Sequence, residues 1–480
     1  MSTIRLRRKI AVAALAVLLA TVGLLNAGPA FAANAASGEG TMNVSPSSVA
    51  AGSTGNQLTF TFKAGGNKFA NGSKVALTVP AGWTPPSTTL GTPGYTTASG
   101  LSCGPGSLSI SGAGPWTITV SQTCDAGAEL TLLYGAGNNP SHVTAPSTPQ
   151  TATFTAASQG GQSGSLVNLT SGSPVVNVVT GPPAKLAFTT QPPPTGTAGA
   201  ILAAFRVTVQ DASGNTVTTS NDPITLSASG PPGGDFSSAP STYTNVPAVS
   251  GVATFNAVAL SLTGTYTLTA SRSGLTSATS TSIVVSAGAA AKLAFAQGPS
   301  NGFAGTPLSP AVTVQVQDQN GNPVSAAGVA VTLTASAGLI DSGATATTNS
   351  SGLATFSGVT INSAALGLTL TASASNLTSA GPSASFNVTV AVSNGATLGG
   401  TTSDGSGSGV KSVAYYYCAG YSGACTSANW TSIGSSTVAN YQISWTGQPA
   451  NGVYRVVAVS TDNVSNVSQP SAATPVTVAN

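Results

Sequence analysis

The sequence predicts an all-β chain: tandem immunoglobulin-like β-sandwich modules in a row, behind a cleaved signal peptide. Three observations predict it. Short runs of Val, Thr and aromatic residues alternate with polar ones between turns rich in Gly, Pro and Asn, the period-2 pattern of half-buried strands. One such pattern, about a hundred residues long, occurs twice in succession, and that is the size of an immunoglobulin-like sandwich. Charged residues are only 5% of the chain against 41% hydrophobic, so disorder through excess charge is not the reading despite 57 glycines.

The elements follow in chain order. Arg5, Arg7, Arg8 and Lys9 form a basic start, an apolar run extends from Ile10 to Leu25, and Ala30-Phe31-Ala32 supplies a small-residue cleavage site. This is the layout of a secretory signal peptide over residues 1–32, and the apolar run is short for a membrane span. The formal net charge of +3 then loses its meaning, because four of the thirteen basic residues leave with the signal. Nine basic and ten acidic residues remain, with no Lys/Arg cluster, which excludes a phosphate-backbone partner such as nucleic acid.

Residues 37–181 read as one larger N-terminal sandwich. Leu58, Phe60 and Phe62 alternate with polar residues, as do Val75, Leu77 and Val79. Trp116, Ile118 and Val120 form another strand, and Leu130, Leu132 and Tyr134 the next. The stretch from Pro85 to Gly106 is expected to be a long connection pinned by Cys103, and Gly181-Pro182-Pro183 a linker.

The duplicated modules occupy 182–288 and 289–391. Lys185-Leu186-Ala187-Phe188 returns 107 residues later as Lys292-Leu293-Ala294-Phe295. Val209-Gln210-Asp211 with Gly214-Asn215 returns at the same spacing as Val316-Gln317-Asp318 with Gly321-Asn322. Gly251-Val252-Ala253-Thr254-Phe255 returns as Gly352-Leu353-Ala354-Thr355-Phe356, but 101 residues on, so one loop is shorter in the second copy. In each copy an alternating strand (Phe205, Val207, Val209; Val312, Val314, Val316) runs into the Asp turn, and Val329, Val331 and Leu333 mark a further strand of the second.

The last module, 392–480, holds six of the ten tyrosines and two of the four tryptophans. Val413, Tyr415 and Tyr417 share one face of a strand and Ala414 and Tyr416 the other. Trp430, Ile433, Tyr441, Ile443 and Trp445 follow, then Val453–Val459 leading into Thr461-Asp462-Asn463. The four cysteines fall as two local pairs, Cys103 with Cys124 and Cys418 with Cys425, which in an exported chain predicts two disulfides.

The segment from Val314 to Leu333, with Thr348 to Phe356, resembles the bacterial Ig-like modules of invasin/intimin-type surface proteins. Their Asp-x-x-Gly-Asn-Pro-Val and Gly-x-Ala-Thr patterns are carried here by Asp318, Gly321, Asn322, Pro323, Val324, Gly352, Ala354 and Thr355. In the first copy Thr216 replaces the proline. The last module is similar to the Ig-like or fibronectin-III-like modules of bacterial exported proteins, except that Ser465 stands where their turn carries glycine. The resemblance implies a stalk or adhesin module and no chemistry.

Chemistry is otherwise sparse. The single histidine, His142, lies in a Pro/Ser-rich stretch with no partner for a catalytic triad, and reads as a loop residue. The nearest carboxylate pair, Asp125 and Glu129, follows Cys124 and leads into a strand, and reads as turn and surface residues rather than a catalytic pair. The Asp318–Asn322 loop superficially resembles an oxygen-ligand site for calcium, as do Asp404 and Asp462, but it offers one carboxylate and a hairpin turn accounts for every residue. No metal, cofactor or catalytic residue is therefore expected. The one candidate ligand surface is aromatic, with Tyr416 pointing outward beside Tyr421 and Trp430. A covering of Tyr416 by the Cys418–Cys425 loop is the competing expectation. The chain is thus expected to be a noncatalytic structural or adhesive protein, secreted or at the cell surface. The alternative is a protein that binds cell-wall or extracellular polysaccharide through its C-terminal module. Partners would be another surface protein or such a polysaccharide, with no transmembrane segment in the mature chain.

Overall fold

The computed structural model describes residues 34–480 apart from 101–102, 105, 139–141, 233–235, 237–242, 338–339, 401 and 403–406. The signal-peptide reading of 1–32 and the question of Asp404 lie outside the described residues. Every regular element described is a strand, apart from a 3-10 turn at Ser427–Asn429. The chain divides into two compact units at Pro182/Pro183, and each is taken by itself.

In the first unit, alternation becomes burial. Leu58, Phe60 and Phe62 on strand Leu58–Lys63, and Val75, Leu77 and Val79 on strand Phe69–Val79, are fully buried. The first of these strands sits in a four-stranded sheet between Thr41–Ser45 and Glu129–Tyr134, with Thr96–Ser99 at the far edge. The second sits in a five-stranded sheet between Thr155–Gln159 and Trp116–Cys124. Phe60, Phe154 and Trp83 fill the space between, with Phe154 4.9 Å from Phe60 and 5.2 Å from Trp83. Thr96–Ser99 is a correction to the sequence reading: residues 85–106 are not all connection, because this strand pairs with Glu129–Tyr134. Its Thr-Thr-Ala-Ser sequence has no large alternating residue to announce it.

In the second unit the two repeats fold alike. Lys185–Thr190 pairs antiparallel with Phe205–Gln210, and Lys292–Gln297 with Val312–Gln317, each with a bulge at the equivalent residue. Val252–Phe255 and Leu353–Phe356 complete these three-stranded sheets. The glycine before each of the latter strands is required. Gly251 and Gly352 have φ of +78° and +73°, and a Cβ on them would lie 2.5 Å from Val217 O and 1.9 Å from Val324 O. The opposite sheets carry Leu226 and Leu268 in the first repeat, and Leu333 and Leu370 in the second. Stacked Phe205 and Phe255, 5.4 Å apart and 14° from parallel, anchor the first core.

Each repeat splits its first strand between the two sheets. In the first, Thr195–Thr197 runs parallel to Ile283–Ser286, and in the second Gly302–Phe303 runs parallel to Phe386–Val392. Phe386–Val392 has a second role. Its last residues, Val390, Ala391 and Val392, pair in parallel with Val476, Thr477 and Val478 of the C-terminal module. The closing strand of one sandwich is thereby the opening strand of the next, in one continuous sheet that goes on through Gly452–Asp462, Val410–Ala419 and Thr431–Ser436. A small two-stranded sheet, Ala396–Leu398 with Ile443–Trp445, covers it, and Trp445 fills the space between.

Two of these modules fix a loop by a tyrosine hydroxyl, which the sequence reading did not notice. Tyr266 donates to Leu262 O at 2.9 Å, and Tyr454 donates to Ala450 O at 2.8 Å, each reaching back four residues. The signal was legible as Gly-x-Tyr at a strand start, in Gly264-Thr265-Tyr266 and Gly452-Val453-Tyr454. The second repeat has Leu368 at the matching place and no such bond. Tyr266→Phe is expected to destabilise its module by about 1–2 kcal/mol, since it removes a buried donor from the Leu262 carbonyl. Calorimetry of the full chain should show one transition moving down while the others stay.

Candidate functional site

The Asp turn of the repeats is built in the same way three times among the described residues. Asp211, Asp318 and Asp462 each accept the backbone N–H of the residue four on: Asn215 and Asn322 at 2.8 Å, Asn466 at 2.7 Å. Each Asn returns its side-chain amide to the same carboxylate at 2.9–3.0 Å. An antiparallel bridge closes each turn, Gln210 with Thr216, Gln317 with Pro323, and Thr461 with Val467. The lysines that mark the repeat also have their explanation here, since Lys185 donates to Ala212 O and Lys292 to Gln319 O, both at 3.2 Å.

The third turn keeps this geometry without glycine. Ser465 takes φ +69° where Gly214 and Gly321 take +92°. An L-residue in this region carries a steric cost that glycine lacks. Ser465→Gly is therefore expected to stabilise the last module by about 0.5–1 kcal/mol, read as a raised melting temperature with no change in binding.

The Asp318 turn also clamps two modules. Asp318 Oδ2 accepts the Gly288 N–H at 2.9 Å, Asn322 Oδ1 accepts the Thr263 N–H at 2.9 Å, and Asn322 Nδ2 donates to Ser261 O at 2.9 Å. Asp318 and Asn322 are 1% and 2% exposed. Burial pushes the Asp318 carboxyl up, but the donors from Gly288 and Asn322 outweigh it and hold the group below the usual carboxylate range. Asp462 is lowered in the same way, against burial, by Asn466, Ser408 and Val464. With N–H and O–H donors on both oxygens, these carboxylates are already committed, which leaves a cation little to bind.

The other titratable candidates stand apart. Asp125 pairs with Lys68 at 3.0 Å and Glu129 approaches Lys63 at 4.0 Å, all on exposed side chains. His142 is half-buried, its Nε2 3.0 Å from Gly137 O. Among the described residues no three His, Cys, Asp or Glu side chains gather as a metal site. No helix among them is long and apolar enough to cross a membrane.

Both cysteine pairs are joined, Cys103 to Cys124 and Cys418 to Cys425. The second bond closes a loop that a buried arginine holds from beneath. Arg455, opposite Cys418 in the sheet, donates Nε to Gly420 O at 2.9 Å, Nη1 to Gly423 O at 2.8 Å and Nη2 to Ser422 O at 2.9 Å. The fork shape of the guanidinium suits three carbonyls of one loop as it would a carboxylate.

The three candidate rings do not gather on one surface patch. Tyr416 stacks on Trp430, with centroids 4.8 Å apart and 24° between planes, and both are half-buried. Tyr421 instead rises from the arginine-held loop and lines a separate groove with Phe303 and Thr389 of the preceding module. Tyr415 faces inward as its strand phase requires, and its hydroxyl donates to Tyr441 O at 2.7 Å while burial raises its pKa. Phe303 was missed in the sequence, where an isolated phenylalanine in Asn-Gly-Phe-Ala-Gly carries no alternation.

Comparison with known proteins bears on the modules rather than on this groove. Residues 288–393 match the family model described as SMCHD1 Ig-like domain 6. No curated protein matches the chain. Among solved structures, the chain is similar to FdeC, an Escherichia coli adhesin, at 14% identity over 76% of this chain and 99% of that one, with a TM-score of 0.28. It is similar to the Yersinia pseudotuberculosis adhesin InvE at 14% identity, over 57% of this chain and 67% of that one, with a TM-score of 0.18. A β-glycosidase from Bacteroides vulgatus is similar at 16% identity over 42% of this chain but only 24% of its own, with a TM-score of 0.19. Scores of this size carry neither adhesion nor hydrolysis over to this chain. Its strand topology, and the family model over residues 288–393, make the chain a tandem of immunoglobulin-like β-sandwiches.

Proposed function

We propose that this chain is a noncatalytic structural or adhesive protein, exported to the cell surface or medium, in which the Ig-like modules serve as a stalk. The observation that carries the reading is the continuity of the second unit. Strand Phe386–Val392 belongs to two sandwiches, and the Asp318–Asn322 turn is bonded to the module before it. Such joints stiffen a tandem array, which suits a chain that holds something at a distance and has no need of a cleft. Two disulfides support an oxidising compartment.

The test is fractionation of producing cells combined with thiol trapping. The chain is expected in the medium or the cell-wall fraction, with all four cysteines blocked to alkylation until reduced. Recovery in the cytosol with free thiols would overturn the reading.

A further inference from the structure

We propose that the groove between the second repeat and the C-terminal module binds a neutral pyranose polysaccharide, with Phe303 and Tyr421 as its stacking rings. This assigns a ligand class to a site outside the Tyr416–Trp430 pair, and it does not depend on the stalk reading.

The groove encloses about 430 Å³. Among the described residues its lining includes Asn301, Phe303, Thr306, Thr389, Tyr421 and Thr477, and no ionised side chain. Two rings with surrounding hydroxyls and an amide are what a sugar ring needs: its C–H face packs on an aromatic face, and its hydroxyls exchange hydrogen bonds at the edge. The absence of charge in the lining selects neutral sugars over uronates or sulfated ones.

The rings are available. Phe303 is 43% exposed although apolar, and Tyr421 is half-buried. Among the described residues neither has an aromatic partner, whereas Tyr416 and Trp430 cover one another. The backbone that carries the rings is also held in place. Phe303 sits opposite Thr389 in the parallel strand pair, and the hydroxyls of Thr389 and Thr477 lie 2.9 Å apart across the shared sheet. Tyr421 is flanked by the three carbonyls that Arg455 fixes, inside the loop closed by Cys418–Cys425. A ring carried on a fixed backbone has less freedom to lose on contact, which favours affinity. An added peptide strand fits less well, because Gly302–Phe303 offers only two residues of sheet edge as a template.

The test uses the full mature chain with both disulfides formed. It is incubated with insoluble cellulose, chitin and cross-linked dextran, and with polygalacturonate as the acidic control. Depletion from solution is expected with at least one neutral polymer and not with polygalacturonate. Phe303→Ala with Tyr421→Ala should weaken that binding tenfold or more, while Tyr421→Phe, which keeps the ring, should stay within about threefold. Should the alanine variant melt early, Phe303→Leu keeps bulk without the flat ring and is held to the same standard. Binding to no neutral polymer, binding to the acidic one alone, or binding that survives these changes would overturn the proposal. So would loss of binding through Tyr416→Ala or Trp430→Ala instead.

Discussion

Asp318→Ala should lower the melting temperature of the second repeat by about 10 °C or more and loosen its joint to the first. The alanine removes the acceptor for the Gly288 and Asn322 backbone N–H groups and for the Asn322 amide, in a site only 1% exposed to solvent. A charge-assisted bond is worth about 1.5–3 kcal/mol, and stranding buried donors adds to the loss, so a total of about 3 kcal/mol is expected. For a module of this size each kcal/mol moves the midpoint by roughly 4–8 °C. Amide exchange at Gly288 and Thr263 should speed up in the same variant. The acid limb gives an independent reading. Because the folded Asp318 pKa is depressed, its stabilisation is complete above the unfolded value near 4 and is lost as pH falls through the lower folded value. Wild-type stability should therefore fall as the pH drops below about 4, and Asp318→Ala should flatten part of that fall. An unchanged midpoint in the variant would mean that the clamp carries no net energy.

Trp445→Ala should have the larger local effect, and should fall on the C-terminal module alone. Trp445 is 1% exposed and is the largest buried side chain in a core that it shares with Val392, Val456, Val476 and Val478. Removing an aromatic of this size from a packed core costs about 3–5 kcal/mol. A core with so few members has little else to hold it, so the C-terminal transition is expected to vanish or to fall toward ambient temperature. The transitions of the N-terminal unit and the first repeat should stay. Calorimetry of the full chain distinguishes this from a general loss, in which every transition would move.

The all-β fold and the repeat were legible because alternation at period 2 is a property of the residues themselves. Phe60, Val207, Val314 and Val413 are buried where their strand phase puts them. The edge strand Thr96–Ser99 was not legible, since small polar residues give no phase and its place is set by its partner strand. The Asp turns were read correctly as turns. Their service as a clamp was invisible, because the bonds from Asn322 to Thr263 and Ser261 run between modules. The candidate site was legible only in composition. Aromatic residues were plainly concentrated in the last module, but a stack and a groove-lining ring differ by the path of one loop, and that path is fixed by Arg455 from another strand.

The shared strand Phe386–Val392 sets how far these modules can be treated as separate objects. A fragment beginning at Val392 would lack Val390 and Ala391, two of the three residues against which Val476 to Val478 align. Its sheet would start with an exposed edge and an incomplete first rung. The stability of the last sandwich is thus coupled to its neighbour, as in a row of units where each one formed raises the odds of the next. Damage to the second repeat should then propagate toward the C-terminus more readily than damage to the last module propagates back.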